Sequence, residues 1–388
     1  MSAPASDTVS TWAVADVLFS PEQVAAVEGV IEHRLGGVSR IRLAFLGGSL
    51  AVGLGHGTSD VDVYVVGDGL PTGEIVHTYD GIQVHVNPMT ADKVRRLLDL
   101  GTRFRATGAD REQVGIEWMT LNALIRLATG IPLRIGEEWR QALSAFDFDV
   151  VRRILIVRNG NICAAMAEDA FGALEIGDLL TATTAAAMAL EAAGEATLAA
   201  AGDVYFGPKF HYRRLARTAA TAPWLDHLWQ LDHRDLHPAR GATAREVRAV
   251  VEERLWAAGQ LMASCVLDGW DKPLSELPAP TRPGGDSVRR DVFFIPLRFA
   301  DGWALIGPAE GYEVSEAVVR LWRALDGRPS TELTAQDVPA EIGDIEAAVA
   351  SLAAVGAVEA LPVGTAEPDP RYVMVAPHFG CHPKAAGS

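Results

Sequence analysis

The segment LGGSLAVGLGHGTSDVDVYVV, residues 46–66, restricts the fold of this chain more than any other stretch. One apolar run, IRLAFL, ends on Gly47-Gly48-Ser49, and a second, VDVYVV, carries Asp62 and follows directly on Asp60. Side chains two apart on an extended strand point to the same side. Asp60 and Asp62 therefore project together, while Val61 and Val63 turn toward a core. Paired carboxylates repel each other unless a cation lies between them, and magnesium commonly bridges carboxylates to phosphates. Glycines ahead of such a pair let backbone N–H groups approach a phosphate chain, and the Ser49 hydroxyl adds a donor.

The surrounding pattern predicts an α+β chain. Over residues 1–145, SPEQVAAVEGVIEHRL reads as a helix with Ser20 as N-cap and Glu22 and Gln23 in its first turn. EIVHTY and IQVHVN, joined by Asp80-Gly81, read as a hairpin, because Asp-Gly tolerates the positive φ of a two-residue turn. Helices are expected from Thr90 to about Leu143. Residues 146–275 repeat apolar residues at three- and four-residue spacing and predict an all-helical domain. The Pro- and Gly-rich run SELPAPTRPGGDS sets a linker at about 276–290. Residues 291–362 return to a mixed pattern. DVFFIPLRF and GWALIG are strands, and VSEAVVRLWRALDG is an amphipathic helix with Val318, Leu321, Trp322 and Leu325 on one face. A second helix, IGDIEAAVASLAAVG, and a closing strand, AVEAL, complete a small winged-helix pattern. Residues 363–388 read as a flexible tail.

Composition narrows the function classes. At 388 residues the chain exceeds one ordinary domain. A formal charge of −16 argues against broad nucleic-acid binding, which needs clustered Lys and Arg. No run reaches the roughly 18 apolar residues of a membrane helix. The first residues lack the basic start and apolar core of a signal peptide, so the expected location is cytoplasmic. Cys163, Cys265 and Cys381 are too far apart in sequence to suggest a disulfide framework or a zinc module. His378, Cys381 and His382 lie within APHFGCHPK without a fourth ligand, and read as tail rather than as a metal centre.

Gly48-Ser49, ten residues and then Asp60-Val61-Asp62 resemble the hallmark of the DNA polymerase β superfamily of nucleotidyltransferases. The resemblance implies a polymerase β-like domain with a mixed sheet and helices. It implies Mg2+ on Asp60 and Asp62, and a nucleoside triphosphate, with ATP expected, held by Gly47, Gly48 and Ser49. Such enzymes move a nucleoside monophosphate to an acceptor hydroxyl and release pyrophosphate. Their third carboxylate sits on the next strand, where IQVHVN has no acid. Gln83, His85 and Asn87 share a face there, and either His85 or Gln83 is expected in its place. Two readings follow: a base supplied from elsewhere, or a domain that binds nucleotide without turnover. Aminoglycoside-type relatives take a base from a following helical domain. Glu168 and Asp169, on a predicted helix, are the candidates, and the small apolar neighbours of Glu168 would raise its pKa.

GDVYFGPKFHYRRLAR, residues 202–217, resembles a Tyr-x-x-x-Lys segment of small bacterial nucleotidyltransferases. It implies Lys209 on the phosphates, with Arg213, His211 and Arg214 in the same cationic patch. GIPLRIGEEWRQAL resembles the Gly-x-Pro-Leu segment that closes the catalytic domain in these enzymes. Residues 291–362 resemble the peptide-recognition elements of ribosomal peptide natural-product pathways, typified by the small chaperone of pyrroloquinoline quinone biosynthesis. That likeness implies a sheet edge to which a leader peptide adds as a strand. The acidic DVPAEIGDIEAAVASL disfavours a DNA-reading winged helix. Together these imply nucleotidyl transfer to a precursor peptide, with no nucleic-acid or membrane partner. The alternatives are a small-molecule, aminoglycoside-type nucleotidyltransferase and a catalytically silent nucleotide- and peptide-binding scaffold.

Overall fold

Ser20 caps the first helix, α1 (Pro21–Arg34). Its side chain accepts from the Gln23 N–H, and the Gln23 side chain accepts from the Ser20 N–H, closing a capping box with Pro21 at the first helical position. The computed structural model describes residues 18–376 apart from 237–241, 283, 285–286, 330–331, 335–336 and 360–366. The described residues form two compact units. One comprises those within Met1–Phe104, Ile116–Val151 and Val204–Arg213; the other comprises those within Arg105–Gly115, Arg152–Asp203 and Arg214–Ser388.

In the first unit, β1 (Ile41–Gly47) runs into the short helix α2 (Gly48–Ala51). Then come β2 (Val61–Gly67), β3 (Ile75–Tyr79) and β4 (Ile82–Pro88). The helices α3 (Ala91–Leu100) and α4 (Trp118–Thr129), the strand β5 (Ile131–Ile135) and the helix α5 (Glu137–Ser144) follow. The sheet is mixed, in the order β3-β4-β2-β1-β5. β2 and β4 are parallel, and the other pairs are antiparallel. Val27 and Val30 of α1 pack with Val61, Val63, Val65, Val84 and Val86. Alternation then turns Asp62 and Tyr64 to the opposite face. Asp80 at φ 46° and Gly81 at φ 80° make the β3–β4 turn.

The expectation of helix from Thr90 to about Leu143 fails at residues 131–135, which form β5 and pair with β1. Pro132 lies in an outer strand of the sheet, the setting where a missing N–H leaves no ladder bond unmade.

The helices of the second unit begin with the body of α6 (Phe148–Glu175) and α7 (Leu179–Ala200). The end of α8 (His211–Arg217), whose first three residues belong to the first unit, and then α9 (Leu225–Asp232) and α10 (Ala244–Leu267) follow. Buried alanines at 182, 186, 189, 193, 196 and 200 let α7 lie closely along α10. The Pro-rich stretch expected as a free linker is fastened to this unit instead. Trp224 donates to the Pro278 carbonyl, Gln260 to that of Ala279, and the Thr281 N–H to the Gln260 side chain. Leu274 and Leu277 are buried. An extended, proline-rich backbone leaves its carbonyls open to such donors.

The rest of the second unit contains β6 (Arg289–Arg290), β7 (Ile295–Arg298), β8 (Trp303–Ile306) and β9 (Gly311–Val314). The helices α11 (Glu316–Ala324) and α12 (Ile345–Ala354) precede β10 (Val358–Glu359) and β11 (Val373–Val375). In place of a two-stranded wing there is a four-stranded antiparallel sheet, β11-β9-β8-β7, beside the small pair β10-β6. Residues 367–376, read from composition as tail, supply the outer strand β11, which pairs with β9. The Asp369 N–H donates to the Ser351 hydroxyl, and the Tyr372 hydroxyl donates to the Ile342 carbonyl. Trp322 is buried, with its indole N–H on the Ala357 carbonyl. His378, Cys381 and His382 lie outside the described residues. No described helix is long and apolar enough to cross a membrane.

Candidate active site

Gly47 ends β1 opposite Asp62, and Gly48 follows at φ 75°. A Cβ on Gly48 would collide with Asp62 Oδ2, and one on Gly47 would stand 2.6 Å from the Tyr64 ring. The two glycines therefore make room for the side chains of β2, a second reason for their presence beside approach to phosphate. Ser49 is half-buried, and its hydroxyl has no hydrogen-bond partner among the described residues. Its carbonyl accepts from the Leu54 N–H at 2.8 Å.

Arg213 fastens the turn that follows, donating to the carbonyls of Gly53 at 3.0 Å, Leu54 at 2.9 Å and Gly55 at 3.4 Å. Leu54, Tyr205 and Phe210 form a small core beneath it. Lys209 is exposed, with Nζ 4.9 Å from the centre of the Phe210 ring. His211 is buried. Arg214 is 1 % exposed and bound to Glu195 and Asp203, so the expected cationic patch is divided between solvent, a turn and a core.

Register sets His85, rather than Gln83, across from Asp62. Across the parallel β2–β4 ladder Asp62 lies beside His85, whereas Gln83 pairs with Thr78 of β3. His85 Nδ1 is 2.6 Å from Glu74 Oε1, and Nε2 is 3.7 Å from Asp60 Oδ1. The hydrogen bond to Glu74 is the largest cause of a raised His85 pKa; partial burial opposes it and the Asp60 charge reinforces it. Asp60 is exposed. Partial burial pushes the Asp62 carboxyl above the usual aspartate range, against the pull of Arg126 and then His85. Burial also pushes the Tyr64 phenol up to about 12.

Arg126, on α4, stacks its guanidinium 4.6 Å from the centre of the Tyr205 ring. Its Nε and Nη1 are buried without a hydrogen-bond partner among the described residues. Glu168 is half-buried and Asp169 exposed, both on α6 in the second unit.

Sequence reasoning missed Glu74, Tyr64 and Arg126. Glu74 was within reach of it: the Asp80-Gly81 turn pairs Val76 with His85, and Glu74 shares the face of Val76 two residues earlier. Arg126 had no local signal, since its relation to Asp62 spans two separate elements.

Among the described residues, no three His, Cys, Asp or Glu side chains converge as a metal-binding group. Magnesium needs less: one or two carboxylates, with phosphate oxygens and water completing its shell. Asp60 and Asp62 fit that donor set, because both present hard oxygens and the Asp62 carboxylate has no hydrogen-bond partner among the described residues.

No protein-family model matches the chain, and no curated protein matches its sequence. Among solved structures, the chain is similar to a nucleotidyltransferase-like protein from Exiguobacterium sibiricum 255-15. The TM-score is 0.32 and the identity 11 %, over 64 % of this chain and 80 % of that one. A likeness this loose carries no functional weight, and the chemistry rests on the geometry of the site.

Proposed function

We propose that the chain is a magnesium-dependent nucleotidyltransferase that moves a nucleoside monophosphate from a nucleoside triphosphate to an acceptor hydroxyl. One observation carries the reading: Asp62, half-buried and without a hydrogen-bond partner among the described residues, leans over Gly48 beside exposed Asp60 and next to His85. A carboxylate partly withdrawn from water with no donor costs stability, and a cation is its natural complement.

Asp60 and Asp62 would hold Mg2+, which, when bound, neutralises phosphate charge. Ser49, whose hydroxyl has no partner among the described residues, serves as a phosphate donor. Glu74 holds His85 Nδ1, leaving Nε2 on the Asp60 side for an acceptor. His85 Nε2 takes the acceptor hydroxyl proton, the acceptor oxygen bonds the α-phosphorus, and the α–β bridging oxygen leaves with its electrons as pyrophosphate. His85 thus takes the part of the missing third carboxylate. Lys209 reaches out as an exposed cation suited to the triphosphate.

A precursor peptide adding as a strand would use one of the outer strands of the second unit's sheet, β7 or β11. A small-molecule acceptor, the second reading, needs no sheet edge. Incubation with each α-labelled triphosphate, Mg2+ and either precursor peptides or aminoglycosides tests both. Label transfer by wild type, lost in Asp62→Asn, is the expected result, and the acceptor class that takes label decides between the two readings. A wild type that neither transfers label nor binds Mg2+–nucleotide would overturn the proposal.

A further inference from the structure

Trp118, Asn122 and Arg126 follow one another at four-residue steps on α4 and so share one face. Two aromatic residues of the first unit, Tyr205 and Phe206, meet that face. Tyr205 lies against the Arg126 guanidinium, and Phe206 meets Trp118 edge to face, with ring centres 4.6 Å apart. At one end stands an arginine with two buried nitrogens unpartnered among the described residues, its charge acting on Asp62. At the other stands a tryptophan that is 44 % exposed. Between them Asn122 is half-buried, with no side-chain partner among the described residues.

Two elementary facts apply. Buried guanidinium nitrogens lose stability when nothing accepts from them, and phosphate is a strong acceptor for them. An exposed indole edged by a second ring is a surface on which a nucleobase stacks. Eight residues of helix separate the two ends, a rise of about 12 Å. An extended nucleotide has a comparable reach from phosphate chain to base.

We propose that this face of α4, with Tyr205 and Phe206, is the subsite that orients the nucleoside triphosphate. Arg126 binds the phosphate chain beside Asp62, and Trp118 with Phe206 stacks the base. The inference rests on the nucleotidyltransferase reading and adds the direction in which the nucleotide lies. It also makes the base a stacking partner rather than a hydrogen-bonded one, so discrimination among bases is weak.

The test is calorimetric titration of the full chain with Mg2+–ATP and with Mg2+–tripolyphosphate, which carries the charge but lacks the base. Trp118→Ala is expected to weaken ATP binding by roughly ten- to a hundredfold and to leave tripolyphosphate binding unchanged. Trp118→Phe restores ATP binding. Arg126→Gln weakens both ligands. Wild-type ATP affinity in Trp118→Ala, or wild-type tripolyphosphate affinity in Arg126→Gln, would overturn the subsite. Circular dichroism monitors the fold of each variant, and if Arg126→Gln does not fold, the Trp118 pair decides. Failure of this subsite is distinguishable from failure of the transferase reading. In the first case wild type binds Mg2+–ATP and Asp62→Asn does not, while the α4 variants bind as wild type. In the second, wild type does not bind it at all.

Discussion

Arg214 is buried and Arg126 half-buried, and the two are used in opposite ways. Every nitrogen of Arg214 has an acceptor. Nε donates to Asp203 at 3.0 Å, Nη1 to Glu195 at 2.7 Å, and Nη2 to the Asp203 carbonyl at 2.9 Å, with Arg217 completing the network on Asp203. Arg126 has a ring beneath it, a carboxylate within electrostatic range, and two buried nitrogens bonded to nothing among the described residues. A satisfied buried arginine fixes a fold. An unsatisfied one in electrostatic range of an unsatisfied carboxylate is what a ligand's acceptors and a cation would complete.

The sharpest break in this comparison is predicted in stability. Arg214→Ala strands Glu195 and Asp203 in the core and should destabilise the chain by about 3–5 kcal/mol, read from urea unfolding. Arg126→Met removes an unsatisfied group and should leave stability unchanged or slightly raised. Equal losses in the two variants would erase the distinction between structural and functional arginine.

Next in size is Asp62→Asn. Transfer should fall by on the order of 10²–10³. Its stability should move the other way. The folded-state pKa of Asp62 is raised by burial, so over the window above the ordinary aspartate value the native chain binds protons that the unfolded chain has released. Stability therefore falls as pH rises through that window. An uncharged amide removes the cost, and the substitution should raise stability at neutral pH by up to about 1 kcal/mol in thermal unfolding. A loss of both activity and stability would return Asp62 to an ordinary structural role.

The same contrast explains what the sequence made legible. β1, β2 and the β3–β4 hairpin were readable because alternation, Gly47-Gly48 and Asp80-Gly81 are local signals. Ser49, Asp60 and Asp62 could be singled out as candidates because they are close in sequence. The choice of His85 over Gln83 needed the parallel register of β4 on β2, which no single strand encodes. β5 was hidden because its five residues lie between two helical patterns, and its pairing with β1 is a tertiary contact that no local signal encodes. The stretch around 274–281 reads as a linker because proline and glycine look alike in a tether and in an extended segment clamped by Trp224 and Gln260. Arg126 and Arg214 are both arginines on helices, and only tertiary partners separate them.

A smaller effect is expected at Arg213, which lies between the two extremes. Its guanidinium holds the carbonyls of residues 53–55, the turn that leads from Ser49 to Asp60. Arg213→Ala should cost about 1–3 kcal/mol of stability. It should also weaken nucleotide binding in proportion to how far the turn loosens. Lys209→Ala, on an exposed side chain, should leave stability within about 0.5 kcal/mol of wild type and lower triphosphate affinity alone. If the two variants behave alike, the division of labour along residues 209–213 is wrong.

The smallest predicted effect is a displacement of a pH profile, and it sharpens the comparison at the level of one proton. Like Arg214, His85 has a carboxylate partner, Glu74; like Arg126, it faces the site, with Nε2 toward Asp60. The folded-state pKa is raised, so the stability contributed by the Glu74 pairing is full below the ordinary imidazole value of about 6.5 and is lost as pH rises through the raised one. Transfer needs Nε2 unprotonated, so the rate should climb with pH through that same raised value. Glu74→Gln removes the largest cause of the shift. The acidic limb of the rate profile should then move to lower pH, and the plateau should drop by less than about tenfold as the imidazole becomes a weaker base. A limb that stays in place after Glu74→Gln, but disappears in His85→Gln, would mean that Glu74 orients the ring without setting its proton affinity. A limb unchanged in both would take the base out of β4 altogether.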